Sequence, residues 1–519
     1  MRGAVKLFLG LFLAFSLLCP LGAMLLNIAG SSAGRVVSSP QFREALLHSV
    51  NVAGTATALS IILAWFFAQA VVRSRMRGRH VFAVLGTVPM LIPSISHGMG
   101  LVLLFGANGI ITRLFGIGKP IYGFWGIVSG SVLYAFPVAF LMLSDILLYE
   151  DNSPYEAATV LGIPRLSQFV SITFPYLRRP LVSVVFAVFT LVFTDYGVPL
   201  MIGGRYTTLP VLMYQEVINL LHFGEGSVIG SFLLIPALAA FLFDLFAKER
   251  GNQGFVVQER TITAKPLKDW TAFLYCAVIC AIIILPLVVF AFLSFINRYP
   301  DDLSFSVINI ARTMKMRAGE YLFNSLRIAF FVAMAGTLFS WVTAYFTART
   351  PGKSSKFLHL VSITSLAVPG LVLGLSYAMF FKGSAIYGTF IMLVLANIIH
   401  FMASPYLMAY NSLGKLNENL EDVGQTLGIR RFFIVKDVIA PQTVLTILEM
   451  ASYFFVNSMM TISAVSFLAS VRNMPVSLLI TRFENQLFLE GAAFVSILIL
   501  FCNLAIKFLV HLARKRLNG

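Results

Sequence analysis

Residues 152–175 read Asn152-Ser-Pro-Tyr-Glu156-Ala-Ala-Thr-Val-Leu-Gly162-Ile-Pro-Arg-Leu-Ser-Gln-Phe-Val-Ser-Ile172-Thr-Phe-Pro175. The order of residue types predicts a short helix, a sharp stop and a second short helix. Asn152 or Ser153 can cap the first helix, Pro154 fits its first turn, and Glu156 sets an acid at the positive end of the dipole. Gly162 suits the left-handed residue that closes a helix. Pro164 then opens the next helix and fixes the angle between the two. The expected product is a rigid knob over about Tyr155–Leu161. Small Ala157 and Ala158 give it a shallow face for another protein, and Glu156 offers a charge to a basic partner.

A second, eroded copy follows 266 positions later: Asp422-Val-Gly424-Gln-Thr-Leu-Gly428, then Val438-Ile-Ala-Pro441. Gly162 to Pro175 and Gly428 to Pro441 are both 13 apart. The acid, the glycine and the proline remain, whereas the two alanines have become Val423 and Gly424. Coupling of this copy to any partner is therefore expected to be looser, or its partner groove different.

Both copies sit between long apolar runs. Of 519 residues, 58% are hydrophobic and only 12% are charged, against about 25% charged in soluble domains. Such a chain cannot cover itself with water-facing surface, so lipid is its main solvent. The runs are long enough, at about 20 residues, to cross the hydrocarbon as helix. Their length and lack of alternation exclude a β-barrel. The expected fold is an all-α integral membrane protein with about twelve spans in two tandem six-helix halves. The spans are read at about 6–28, 50–72, 81–105, 124–147, 181–203 and 228–247, then 270–296, 324–348, 357–381, 386–410, 443–468 and 491–511. The halves are 1–250 and 270–519, joined by a polar cytosolic linker at 251–269; the helical loops lie at 150–180 and 411–442. A weak repeat runs through both halves, with Ser49, Arg73, Pro93 and Gly98 matching Ser325, Arg349, Pro369 and Gly374 at an offset of 276.

Charge placement sets the orientation. With the N-terminus inside, the cytosolic segments hold 24 of the 38 basic residues and the outer ones hold 12; positive residues are retained on the inner side. Both termini are then cytosolic, and the net charge of +16 marks topology rather than nucleic-acid binding. All four cysteines fall inside the apolar runs, so no disulfide framework is implied. No metal site is expected, since the histidines are scattered, and no catalytic residues are expected. The chain also lacks a Gly-x-x-x-x-Gly-Lys-[Ser/Thr] phosphate loop; Gly116-Ile-Gly118-Lys119 has neither the spacing nor the hydroxyl.

The first loop resembles the EAA loop of binding-protein-dependent ABC importer permeases: E-A-A, three residues, G, nine residues, I, two residues, P. The fused two-half form resembles the ferric iron, 2-aminoethylphosphonate and thiamine groups. The resemblance implies an inner-membrane permease in bacteria, coupled to two copies of a cytosolic ABC ATPase and one extracytoplasmic substrate-binding protein. ATP and Mg would be bound by the ATPase and no cofactor by this chain. The residues carried over as ATPase-coupling are Glu156, Ala157, Ala158, Gly162, Pro175, Asp422, Gly424, Gly428 and Pro441. Substrate is expected to be ferric iron or 2-aminoethylphosphonate, with polyamine and thiamine as further candidates.

An ionisable residue within a span is a functional candidate by default. Asp195 lies in Phe193-Thr-Asp-Tyr-Gly-Val-Pro199, where Gly197 and Pro199 weaken the fifth span. Asp195, Tyr196 and the corresponding Thr461 of span eleven are the expected pathway residues; a structural acid is the competing reading of Asp195. The alternative class is a twelve-span secondary transporter of the major facilitator type. That family shows Gly-x-x-x-Asp-Arg-x-Gly-Arg after its second span, whereas this chain reads Arg73-Ser-Arg-Met-Arg-Gly-Arg-His80 there.

Overall fold

The computed structural model describes residues 2–29, 33–116, 118–247 and 266–518. Among them, nine helices are long and apolar enough to cross a membrane, and three bent helix pairs raise the number to twelve. The strands among the described residues are one short antiparallel pair, Ile296–Arg298 with Asp302–Phe305. The twelve-span, all-α expectation holds. Helices satisfy their own backbone groups in lipid, and these segments carry no period-two pattern that would favour a closed sheet.

The interruptions carry the information. Span three breaks before Pro93 and resumes as Ser94–Phe105. Span nine breaks before Pro369, where Lys353–Ala367 and Gly370–Phe380 meet at 108°. The two prolines hold nearly identical extended dihedrals at the start of the resumed helices, because proline cannot donate within a helix but fits at its opening. Span five, read at 181–203 with Gly197 and Pro199 as its weak point, starts at Phe174, ends at Phe193 and resumes as Gly197–Ile202. Span eleven, expected to reach 468, is helical only over Val444–Met460. Gly197 and Pro199 explain the first break; Thr461 turns the chain extended at the second.

The weak sequence repeat is a structural repeat. The Ser49 hydroxyl accepts the Leu209 N–H at 2.7 Å, and Ser325 accepts that of Val476 at 2.8 Å. Gly98 and Gly374 stand where the resumed helices of spans three and nine cross the breaks of spans five and eleven. A Cβ on Gly98 would lie 2.9 Å from Met201 Cβ, and one on Gly374 would lie 2.8 Å from the Ala464 carbonyl. Small residues let helices in lipid approach this closely.

The chain condenses into two compact units, each described by itself. One comprises Met1–Val37, Met213–Leu234 and Ser294–Gly519; the other comprises Ser38–Leu212 and Ile235–Leu293. The opening span of each sequence half therefore packs among spans of the other half. In the first unit, Lys6 donates to the Thr350 carbonyl at 2.9 Å and the buried Tyr377 hydroxyl to the Ser16 carbonyl at 2.6 Å. In the second, Lys268 donates to the Arg73 carbonyl at 3.0 Å and Tyr275 to the Leu63 carbonyl at 2.8 Å. An unpaired Tyr377 hydroxyl would be costly in its buried position, so its bond helps to fix the register of the packed helices. Residues 251–265 of the expected linker lie outside the described residues; span seven is helical from Pro266 onward.

Candidate functional site: paired helical loops and the span breaks

The first loop folds as a helix over Ser153–Val160. Asn152 sits at its cap position, but its amide donates to Glu156 Oε1 at 2.7 Å rather than capping the backbone. Gly162 has φ +68°. Its N–H reaches the Thr159 carbonyl at 3.1 Å, and the Ile163 N–H reaches that of Ala158 at 2.9 Å, which closes the helix as a Schellman motif. The second loop repeats this closure over Leu420–Thr426. Gly428 has φ +72°, Gly428 N–H meets the Gln425 carbonyl at 3.0 Å and Ile429 N–H meets that of Gly424 at 2.9 Å.

Each loop then makes one π-helical turn, Phe169–Thr173 and Val435–Ile439, again 266 positions apart. Pro175 and Pro441 lie two residues beyond these turns. A proline ring clashes with the carbonyl four residues back, and a wider turn relieves the clash. The invariant spacing between glycine and proline in the two copies thus sets the distance from helix stop to wide turn. Nothing in residue type alone announces a π turn.

Exposure corrects one expectation. Ala158 is buried, so the shallow face built from both alanines does not exist. Glu156 and Ala157 are exposed, as are Asp422 and Val423. The remaining open surface is apolar: Val160 is 87% and Leu161 75% exposed, with Leu427 at 70% and Phe432 at 69% in the second copy. These apolar residues were invisible to the motif reading; their signal is leucine at the same position before each glycine. The erosion of the second copy also has a cause. Gly424 matches Ala158, and a Cβ there would collide with Ile434. Nor is the second loop loosely held. Burial pushes the Glu421 carboxyl up, but hydrogen bonds from Arg349 and the charges of Arg349 and Arg431 outweigh it and hold it below the usual glutamate range. Its contribution to stability is therefore full above the ordinary carboxylate pKa and is lost as pH falls through the lowered one.

At the break of span five, Asp195 accepts the N–H groups of Gly197 at 3.3 Å and Val198 at 3.0 Å, and the Ser94 hydroxyl donates to it. It caps the resumed helix and ties the break of span five to that of span three. Tyr196 and Thr461 are buried, and the Thr461 carbonyl accepts the Ser477 hydroxyl at 2.7 Å. Asparagine caps nearly as well as aspartate. Here, however, the two N–H groups go to different carboxylate oxygens, and asparagine keeps only one acceptor, so Asp195→Asn should lower the melting temperature less than Asp195→Ala, which should cost about 1 kcal/mol. Equal melting of all three proteins would show that the cap is not needed.

A cluster outside these sites joins Glu216, His222 and Glu225, with His222 Nδ1 3.0 Å from Glu216 and 3.9 Å from Glu225. Lys382 stands over the adjoining Phe223 ring. Glu449 pairs with Arg514 at 3.2 Å.

The structure thus presents helices long and apolar enough to cross a membrane, several of them broken, with a helical loop closed by a left-handed glycine in each half. The chain belongs to the family described as "Binding-protein-dependent transport system inner membrane component", whose pattern matches residues 56–298 and again 336–519. It is 25% identical to the ferric transport system permease protein FbpB of Actinobacillus pleuropneumoniae, over 90% of this chain and 70% of that relative. It is 28% identical to the thiamine transport system permease protein ThiP of Brucella abortus, over 41% of each chain. The putrescine transport system permease protein PotI of Escherichia coli is 29% identical over 36% of this chain and 65% of its own length. The chain is thus a multi-pass inner-membrane transport component, and the major facilitator alternative falls.

Proposed function

We propose that this chain forms the whole transmembrane pathway of an ATP-driven importer of ferric iron, powered by a separate ATPase and fed by an extracytoplasmic binding protein. The observation that carries the reading is the duplicated knob. Two helices with the same left-handed stop each expose one acid and a row of apolar side chains. An exposed leucine or phenylalanine beside a carboxylate is poorly placed in water and well placed in a groove with a basic rim. Two such knobs on one chain provide for two ATPase subunits, which would hold the ATP and Mg, with both termini on the same cytosolic side. Ferric iron is put first because relatives of that name match nearly the whole chain, whereas those named for thiamine and putrescine match less than half.

Native mass measurement of the intact complex should give one permease chain, two ATPase subunits and one binding protein. Two permease chains per complex would overturn the proposal. Cells carrying the complete system should take up radioactive ferric iron in a manner that stops when ATP is depleted. Uptake of thiamine or putrescine instead would replace the substrate and leave the assembly standing.

A further inference from the structure

Each knob is fastened to its bundle by an ion pair, and the two pairs are built differently. Arg73, the last residue of the span-two helix Pro40–Arg73, pairs with Glu150; their side chains are 13% and 5% exposed. Glu150 lies before the knob helix. The Tyr155 hydroxyl donates to Glu150 and stands 2.7 Å from Thr173 Oγ1 at the end of the π turn. Arg349, which matches Arg73, closes span eight and pairs with Glu421; these side chains are 4% and 6% exposed. Glu421 lies inside the knob helix, at the position of Tyr155. Arg349 also donates to the carbonyls of Leu416 at 3.0 Å and Asn417 at 2.6 Å, and Leu416 stands where the first half has Glu150. The Arg349 Nε–Glu421 Oε1 bond is 3.1 Å, and Arg431 approaches the same oxygen to 3.6 Å. The arginine has kept its place in both halves while the acid has moved five positions along the loop.

We propose that Arg73–Glu150 and Arg349–Glu421 are positioning pairs that lock each knob helix to the cytosolic end of the second span of its half, span two or span eight, so that movement of the knob moves the span. A buried ion pair adds little net stability but selects one geometry, and the guanidinium fork holds a carboxylate in a fixed plane. The chain just at or after each arginine also receives a lysine from an opening span, Lys268 on the Arg73 carbonyl and Lys6 on that of Thr350. Knob, second span and opening span therefore meet at one rigid point in each unit. The transmission part of this proposal rests on the reading of the knobs as ATPase-docking elements.

The test moves the acid. In the full chain in lipid nanodiscs, Glu150→Leu should raise amide exchange across 153–161 at least tenfold while 420–428 and the spans keep their protection. Adding Tyr155→Glu, which copies the second-half arrangement into the first, should restore that protection. Ferric-iron uptake by cells with the complete system should fall and recover in step. Unchanged exchange in Glu150→Leu, or loss of protection throughout the spans, would overturn the proposal. If the double variant does not accumulate, the reciprocal exchange, Leu416→Glu with Glu421→Tyr, is read by the same measurement, and failure to protect 420–428 is equally fatal. A loosened knob with undiminished uptake would refute the transmission. Failure of the docking reading itself shows separately, as normal uptake when both knob glycines are replaced.

Discussion

Replacing Gly162 and Gly428 by valine together should abolish uptake while the chain still inserts and accumulates. Both glycines sit at positive φ, +68° and +72°, where a β-branched residue is strained by about 1–3 kcal/mol. The backbone escapes by leaving the left-handed region, and both Schellman bonds of that loop are then lost. No heavy atom lies within 4 Å of a Cβ built on either glycine, so the failure would come from the turn and not from crowding. Each knob would point away from its partner groove. Co-purification of the ATPase should drop with uptake, more severely for Gly162→Val than for Gly428→Val, because the second loop has the additional hold of Arg431 on Glu421. Normal uptake by the double variant would end the docking reading.

The second large effect belongs to the span crossings. Gly374→Val and Gly98→Val should each sharply reduce the folded yield. At Gly374 the nearest atom to an added Cβ is a backbone oxygen, that of Ala464, which can move only by shifting the broken segment after Thr461. At Gly98 the nearest are Met201 Cβ at 2.9 Å and the Val198 carbonyl oxygen at 3.1 Å, both of which move only with the backbone of the resumed helix. Overpacking of this kind costs about 1–3 kcal/mol where neighbours can relax and more where they cannot. Gly10→Val is the control, since nothing lies within 4 Å of a Cβ there. Fluorescence-detected chromatography of the three variants gives the comparison. Equal monodisperse yield for Gly374→Val and Gly10→Val would show that the crossing tolerates side chains.

Span number was legible because hydrocarbon thickness imposes it: a run of about 20 apolar residues has few other uses. The closing glycines were legible because Gly162 and Gly428 follow helix-forming residues and precede a proline or a basic pair, and the left-handed stop needs that residue type. Span continuity was not legible. Pro369 sits two residues from a 108° bend, yet prolines 137 and 236 lie inside unbroken helices, so residue type alone does not decide between kink and break. What decides is the partner crossing at Gly374 and Gly98, a contact more than 85 residues distant in sequence. The orientation of Ala158 failed for a related reason. The counterpart of Ala158, Gly424, rests against Ile434 further along the same loop, a contact made by the turn of the chain and not visible in the order of residue types. Arg73 and Arg349 were read as orientation signals; their second task became visible only when Glu150 and Glu421 were found beside them.

The exchange of opening spans bears on biogenesis. A ribosome that has delivered the first 250 residues has completed neither compact unit. The unit built on Ser38–Leu212 still lacks Ile279, Leu287 and Phe290 of span seven, all buried in the finished protein. Gly100, whose place is against Pro286, meanwhile faces whatever the insertion machinery or the bilayer supplies. Span one, already synthesised, must wait until spans eight and nine emerge before Lys6 finds Thr350. The unit built on Ser38–Leu212 is therefore complete only once Leu293 has emerged, the other only near the end of translation, and neither sequence half is a free-standing folding module. Carrying both halves on one polypeptide guarantees that each waiting surface meets its intended cover in equal number.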